Sequence, residues 1–336
     1  MSKQILMIET GGTFATDLKE NGLRGIGHGS VFDYEPVAEK VRREGFVFEK
    51  RRPFRILSEN MTISRLEALA AEFRKVDFNA YDGVIVTHGT DTLAYSVNLA
   101  AFVLGKIDIP FVFVSADRPL ADPRSNGLDN FLGALDLIAA EEKGVFAVYR
   151  NGDGRVFVHR GGRLCQMDHI HPGFFSVREV PYGEIVKNRF RRNEDPLNLA
   201  EQKDAPAFPG SRLSRGILQI HAYPGLDYSR FSLDGVEAIL HETYHTGMFC
   251  AAGEKENLDA LLSAAGEDIP VIVVGGAADE ERYESDLKAM DRLIFIDDTA
   301  AEAVYVKMLL AFGNSEKAAA LSYVRGNILG ETLSVK

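Results

Sequence analysis

Short apolar runs that do not alternate with polar residues recur along this chain, and they limit its fold more tightly than any other feature. They are Ile5–Ile8, Gly83–Thr87, Phe111–Ser115, Val145–Tyr149, Gly216–Ile220, Val236–Leu240 and Val271–Val274. A strand with one wet face alternates. A run apolar at both parities is a strand buried on both faces, the habit of parallel sheets covered by helices. Helical patterns fill the gaps. Ser64 to Val76 puts Leu66, Leu69, Ala70 and Phe73 on one stripe, and Ser64 with Glu67 fits a capping box. Asp122-Pro123 predicts the start of a helix reaching Glu142, because proline is tolerated at the first helical position. Glu254–Ala265 and Thr299–Phe312 predict two more. Strands alternating with helices predict a parallel α/β sheet.

Between Asn193 and Ser214 the pattern stops. NEDPLNLAEQKDAPAFPGSRLS holds three prolines, many charges and no periodicity. The expected organisation is an α/β domain over 1–192, a linker over 193–213 and a second α/β domain over 214–336. The total of 336 residues suits two domains at roughly 100–200 residues each. A net charge of -11 repels phosphate backbones and anionic lipid, so neither nucleic acid nor membrane is an expected partner. Two cysteines, Cys165 and Cys250, make no disulfide framework, and the start MSKQILMIE enters a strand-like run with no secretory leader pattern. The expected compartment is a reducing cytoplasm.

In open α/β sheets ligands bind beyond the carboxyl ends of the strands. The first run is followed there by Thr10-Gly11-Gly12-Thr13, and Phe54–Leu57 by Ser58-Glu59-Asn60-Met61-Thr62. Gly83–Val86 is followed by Thr87-His88-Gly89-Thr90-Asp91-Thr92, and Phe111–Val114 by Ser115-Ala116-Asp117-Arg118. Hydroxyls, carboxylates and glycines at four strand ends suit a small polar ligand. Glycines let backbone approach it closely, and a threonine hydroxyl attacks an amide carbonyl once a base takes its proton. Each piece also has a plain structural use. Gly-Gly after a first strand makes a tight turn, and Thr90 or Asp91 would cap a helix running to Leu104. The glycine segments lack the lysine of a phosphate loop and the spacing of a dinucleotide fingerprint.

His241-Glu242-Thr243-Tyr244-His245 spells a helical zinc motif. It follows Val236–Leu240, a strand pattern, where the two histidines stand too far apart for one ion. Asp168-His169-Ile170-His171 with His159 upstream reads as a polar loop, and Arg189–Arg192 as a solvated stretch. No metal or other cofactor is expected.

TGGTFAT at 10–16 and HGTDT at 88–92 together resemble the paired signatures of the asparaginase/glutaminase family. SENMT at 58–62 and FVSADRPLADPRSNGLDNFLGAL are similar to its substrate-binding segment and to the type I (cytoplasmic) bacterial branch, and YPGLD at 223–227 extends the likeness into the second half. The resemblance implies two α/β domains, the first larger, with sites completed by a neighbouring subunit in a homodimer or homotetramer. It implies an amidohydrolase acting on asparagine or a related small amide. Thr13 matches the family nucleophile, and Thr90 and Asp91 match its second threonine and its aspartate. Ser58 and Glu59 match residues that grip the substrate's ends. Gly12, Gly89 and Ser115 fall at the same strand ends. Two positions depart from the pattern: the family tyrosine matches Leu23, and the family lysine matches Gln166. Leucine has no hydroxyl, and a glutamine amide is no base at neutral pH. Tyr34 and Arg163 are the candidates to compensate. These losses leave open a protein of this fold that turns over asparagine weakly, binds an amino acid, or acts on a different amide or lactam.

Overall fold

The computed structural model describes residues 2–18, 24–26, 30–168, 170–199, 205–276 and 290–333. In chain order, β1 (Lys3–Glu9) precedes a small antiparallel pair, β2 (Thr16–Leu18) and β3 (Arg24–Ile26). Four helix–strand units follow: α1 (Glu35–Glu44) with β4 (Phe46–Arg51), α2 (Ile63–Arg74) with β5 (Gly83–Thr87), α3 (Leu93–Leu104) with β6 (Pro110–Val114), and α4 (Gly127–Ala139) with β7 (Gly144–Arg150). Next come β8 (Val156–Arg160), the two-residue partners β9 (Leu164–Cys165) and β10 (Phe175–Ser176), β11 (Gly183–Ile185), β12 (Phe190–Arg192) and α5 (Pro196–Leu199). The remainder holds β13 (Ile217–His221), β14 (Ala238–Glu242), α6 (Leu258–Ala265), β15 (Val271–Val274), β16 (Leu293–Ile296), α7 (Ala301–Asn314) and α8 (Lys317–Arg325).

The strands form an eight-stranded sheet, ordered β12-β11-β8-β7-β6-β5-β1-β4, and a four-stranded sheet, ordered β13-β14-β15-β16. From β7 to β4 the large sheet is parallel, while β8, β11 and β12 pair antiparallel. The small sheet is parallel throughout. The mainly parallel α/β class expected from the apolar runs is thus observed, with a larger first sheet and a smaller second one.

Strand residues show why the runs lack alternation. Leu6, Ile8, Val84, Val86, Phe111 and Phe113 enter one core, under α2 and α3. Their neighbours Ile5, Met7, Ile85, Val112 and Val114 enter the other, under α1 and α4. Successive side chains point to opposite faces, and both faces are covered. Helix α3 is buried on nearly every side, Tyr95 being its exception. A helix apolar all round must be enclosed. Here α7 encloses it: Ala303, Val306 and Leu310 pack with the α3 core, while Val304, Met308 and Ala311 pack on the small sheet. Helix α7 therefore joins the two sheets.

Four expectations need correction. The run Phe54–Leu57 is no strand. The edge strand is β4, and beyond Pro53, which has no N–H to donate, only Ile56 bridges to Gly11. Helix α2 starts one residue before Ser64, with Thr62 as N-cap. Ser64 and Glu67 instead accept from Arg215, and Glu67 also from the Leu213 amide, so they tie the later chain to α2. Asp122-Pro123 does not open α4. Asp117 and Asn126 exchange backbone-to-side-chain bonds of 2.9 and 3.0 Å, closing a loop before the helix begins at Gly127. Helix α6 begins at Leu258 rather than Glu254, because the Asn257 side chain accepts from the Asp259 amide and caps it there.

Candidate active site at the ends of the large sheet

β1, β5 and β6 end side by side, and the isolated bridge at Ile56 adds a fourth segment beside Gly11. The Thr10 hydroxyl donates to the Thr87 carbonyl at 2.8 Å, clamping the ends of β1 and β5. The Gly12 amide donates to the Ile56 carbonyl at 2.8 Å. Gly12 has φ +69°, and a Cβ there would overlap the Gly89 amide. A Cβ on Gly89 would in turn overlap the Ser58 hydroxyl. Gly12 is thus required by direct backbone contact between the two turns, and Gly89 by the Ser58 hydroxyl packed against it.

That backbone contact sets the turn that carries Thr13 beside the turn that carries Thr90 and Asp91. Thr13 opens the short turn Thr13–Ala15, which the buried Phe14 anchors against Phe131. The Ser58 hydroxyl donates to the Asp91 carboxylate at 2.7 Å and accepts from the Asp91 amide at 3.2 Å. The Thr92 hydroxyl donates to the Ser58 carbonyl at 3.0 Å. Neither Thr90 nor Asp91 caps α3, since Thr92 is the N-cap and makes no side-chain cap bond. Glu59 and Asp91 are exposed, and Thr13 and Thr90 partly so. Two acidic residues and two threonines are therefore at least partly exposed at this corner. Ser115 lies at the end of β6 but is fully enclosed, its hydroxyl without a hydrogen-bond partner.

His88 is absent from the residues expected to act, and it supports the corner from below. Its ring is wholly buried, with Nδ1 2.8 Å from the Gly89 carbonyl and Nε2 2.9 Å from the Ser96 hydroxyl. Burial pushes its pKa down to about 4, so it is a neutral strut. Its place inside the HGTDT string is the only sequence signal for it.

The departures from the family pattern are placed as follows. Gln166, after β9, reaches the corner: Nε2 donates to the Thr90 carbonyl at 2.8 Å, and Oε1 accepts from the Ala94 amide at 3.2 Å. Leu23 lies outside the described residues. Arg163 is 1% exposed, donates from Nε to the Gly330 carbonyl at 2.6 Å, and burial lowers its pKa to about 10. It is thereby committed to the C-terminal segment. Tyr34 precedes α1, and its ring packs on the core that holds Phe14.

The zinc-like string runs along β14 into a turn. His241 is buried, with Nε2 2.8 Å from the Tyr228 hydroxyl and Nδ1 2.9 Å from the Glu242 carbonyl, while His245 is exposed. His171 pairs with Asp168 on the surface at 3.0 Å, His159 is buried, and His169 lies outside the described residues. Arg191 and Arg192 are exposed on β12, with Arg192 pairing Glu142. Among the described residues no helix is long and apolar enough to cross a membrane.

A family model described as Asparaginase, N-terminal, matches residues 4–198. An L-asparaginase of Thermococcus kodakarensis is 25% identical over 98% of both chains. One of the glutamyl-tRNA(Gln) amidotransferase subunits of Methanosphaera stadtmanae is 23% identical over 83% of this chain, and the match spans only 65% of that relative's length. Among solved structures, the thermostable L-asparaginase from Thermococcus kodakarensis superposes with a TM-score of 0.79 at 22% identity, covering 98% of this chain and 99% of the other. A probable cytoplasmic L-asparaginase from Campylobacter jejuni gives 0.75 at 19% identity, covering 96% and 99%.

Proposed function

The chain belongs to the asparaginase family, and from that premise we propose that it hydrolyses a small primary amide, asparagine or a related side-chain amide, with Thr13 as nucleophile. The observation that carries this reading is the Gly12–Gly89 contact, which brings the turn of Thr13 against the turn of Thr90 and Asp91. The Thr13 hydroxyl attacks the amide carbon, ammonia leaves, and water then hydrolyses the ester, returning the threonine. Asp91, held by Ser58, takes the substrate's ammonium, and Ser58 and Glu59 grip its polar ends. Backbone N–H groups near Gly89 and Thr90 stabilise the oxyanion. Thr90 helps to activate the nucleophile. No metal takes part, so dialysis against a chelator leaves activity unchanged. We take 193–213 as the connection between the two units, and a homo-oligomer as the working assembly. The test is ammonia release by purified protein from asparagine, glutamine and simpler primary amides. Turnover of one of them above background supports the reading; none with any of them defeats it.

Gln166 favours a second reading of the same site. Both functions of its amide are occupied by the backbone of 90–94, and neither takes up a proton at neutral pH. Slow turnover of asparagine, or preference for another amide, follows.

A further inference from the structure

Gln166 touches more than the corner. Its backbone amide donates to Oε1 of Glu302 at 2.9 Å. Glu302 stands in the first turn of α7, the helix that joins the two sheets. One residue thus connects the second unit to the Thr90–Asp91 turn in two hydrogen-bonded steps, from Glu302 to the Gln166 backbone and from the Gln166 side chain to Thr90 and Ala94. The Ala94 amide belongs to the first turn of α3, where N–H groups have no intrahelical acceptor. The N-cap Thr92 offers none from its side chain, and Gln166 supplies one from 72 residues away. A lysine here would donate to Thr90 but accept nothing from Ala94.

Glu302 is itself surrounded. Tyr95 of α3 packs edge-on against Tyr305 of α7 at 5.8 Å beside it. Glu242 at the end of β14 faces it, fixed by Nε2 of Gln219 at 2.7 Å and by His221 at 2.9 Å. Cys165 precedes Gln166 on β9. Burial pushes the Glu302 carboxyl above the ordinary range, and the nearby Glu242 charge adds to this while the Gln166 amide and His221 oppose it. The carboxyl is not a solvated surface group free to swing away.

We propose that Glu302 is a positioning residue for the strand-end site: through the Gln166 amide it sets the Thr90–Asp91 turn and the start of α3, so that the second unit determines how well the first unit's site is formed. The kinetic part of this rests on the amidohydrolase reading, whereas the structural part does not.

Two variants and two readouts test it. Glu302→Ala removes the acceptor, and Glu302→Gln keeps an oxygen at the same place. Hydrogen exchange of residues 88–99, followed by mass spectrometry, is expected to quicken about tenfold in Glu302→Ala and to stay near wild type in Glu302→Gln, as befits loss of one hydrogen bond to a charged acceptor. On the best amide substrate, kcat should fall about tenfold in Glu302→Ala with KM changed much less, and recover in Glu302→Gln. Exchange that quickens only over 301–305, with 88–99 unchanged, would overturn the proposal and leave Glu302 as a local cap of α7. A wild-type protein inactive on all amides would defeat the amidohydrolase reading alone, because the exchange measurement still decides the role of Glu302. Melting temperatures show whether each variant folds. Should Glu302→Ala fail to fold, Glu302→Asp, which withdraws the carboxylate by one methylene, takes its place with the same expectations and the same overturning result.

Discussion

The strand-end corner and the junction between the two units are built in different ways. At the corner, main chain packs against main chain and against short hydroxyls: Gly12 against the Gly89 amide, Gly89 against the Ser58 hydroxyl, the Thr10 hydroxyl against the Thr87 carbonyl. At the junction, charged side chains do the joining. Glu302 meets Gln166 and Arg178 bonds Asp298 at 2.6 Å, and beside them Lys307, over the Phe102 ring of α3, bonds Glu331 of its own unit at 2.7 Å. Contact between backbones tolerates no added atom but carries no charge. Contact between buried charges tolerates some repacking but depends on each partner and on pH. The comparison therefore predicts different responses in the two regions.

The largest effect belongs to the junction. Lys307 donates to the Val324 and Gly326 carbonyls and to Glu331, and both partners of that pair are buried. Lys307→Met leaves Glu331 buried without its cation, which costs about 3–5 kcal/mol in a urea melt. A loss under about 1 kcal/mol would mean that the pair is dispensable and the contrast overstated.

At the corner, Gly12→Ala meets both a left-handed backbone and the Gly89 amide. We expect a loss of about 2–4 kcal/mol and loss of any amidase activity, because Thr13 shifts with its neighbour. A stable, active Gly12→Ala protein would break the claim that backbone contact forms the site.

The buried histidines and the junction carboxylates respond to pH with opposite signs. Burial holds His88 at about 4, below its unfolded 6.5. Its contribution is present above pH 6.5 and lost as pH falls toward 4, at about 1.4 kcal/mol per unit. His241 at about 4 and His159 at about 3 act in the same direction. Burial raises Glu242 and Glu302 above 4.5, so their contribution is present at lower pH and lost as pH rises through their folded values. His88→Asn should flatten the acid side of a stability–pH curve, and Glu242→Gln the opposite side. Identical curve shapes for the two variants would remove the distinction.

The smallest effect sharpens the comparison where the regions meet. Gln166→Lys should raise asparagine turnover a few-fold, more fully when paired with Leu23→Tyr, since the two would serve one nucleophile. It should also cost about 1 kcal/mol, because the Ala94 amide loses its acceptor. Unchanged turnover in both variants would show that the proton is handled elsewhere.

These regions also differ in how legible they are in the sequence. The glycines and hydroxyls of the corner are readable because they sit directly after apolar runs, whereas Gln166 reaches Thr90 across 76 residues and stands out only by its match to the family lysine. Strands β4, β8, β11, β12 and β16 are not among the runs that pattern singles out. At least β4 and β12, FVFEKR and FRR, carry charges on partly wet strands and give no continuous apolar run. Arg163 offers a cation next to the site in sequence, yet its neighbour in space is Gly330, 167 residues on. Glu302 carries no signal, since its meaning comes from a partner 136 residues away. Pairings of that range are set by how α7 packs on α3, which no local spacing encodes.

The most direct test of the central claim compares ammonia release by wild type and Thr13→Ala on whichever amide the wild type turns over best. The Thr13 side chain sits at a partly exposed turn, so the variant should fold with an unchanged melting temperature. Its turnover should fall by about 10² or more. Turnover equal to wild type, in a variant that melts as wild type does, would contradict Thr13 as nucleophile.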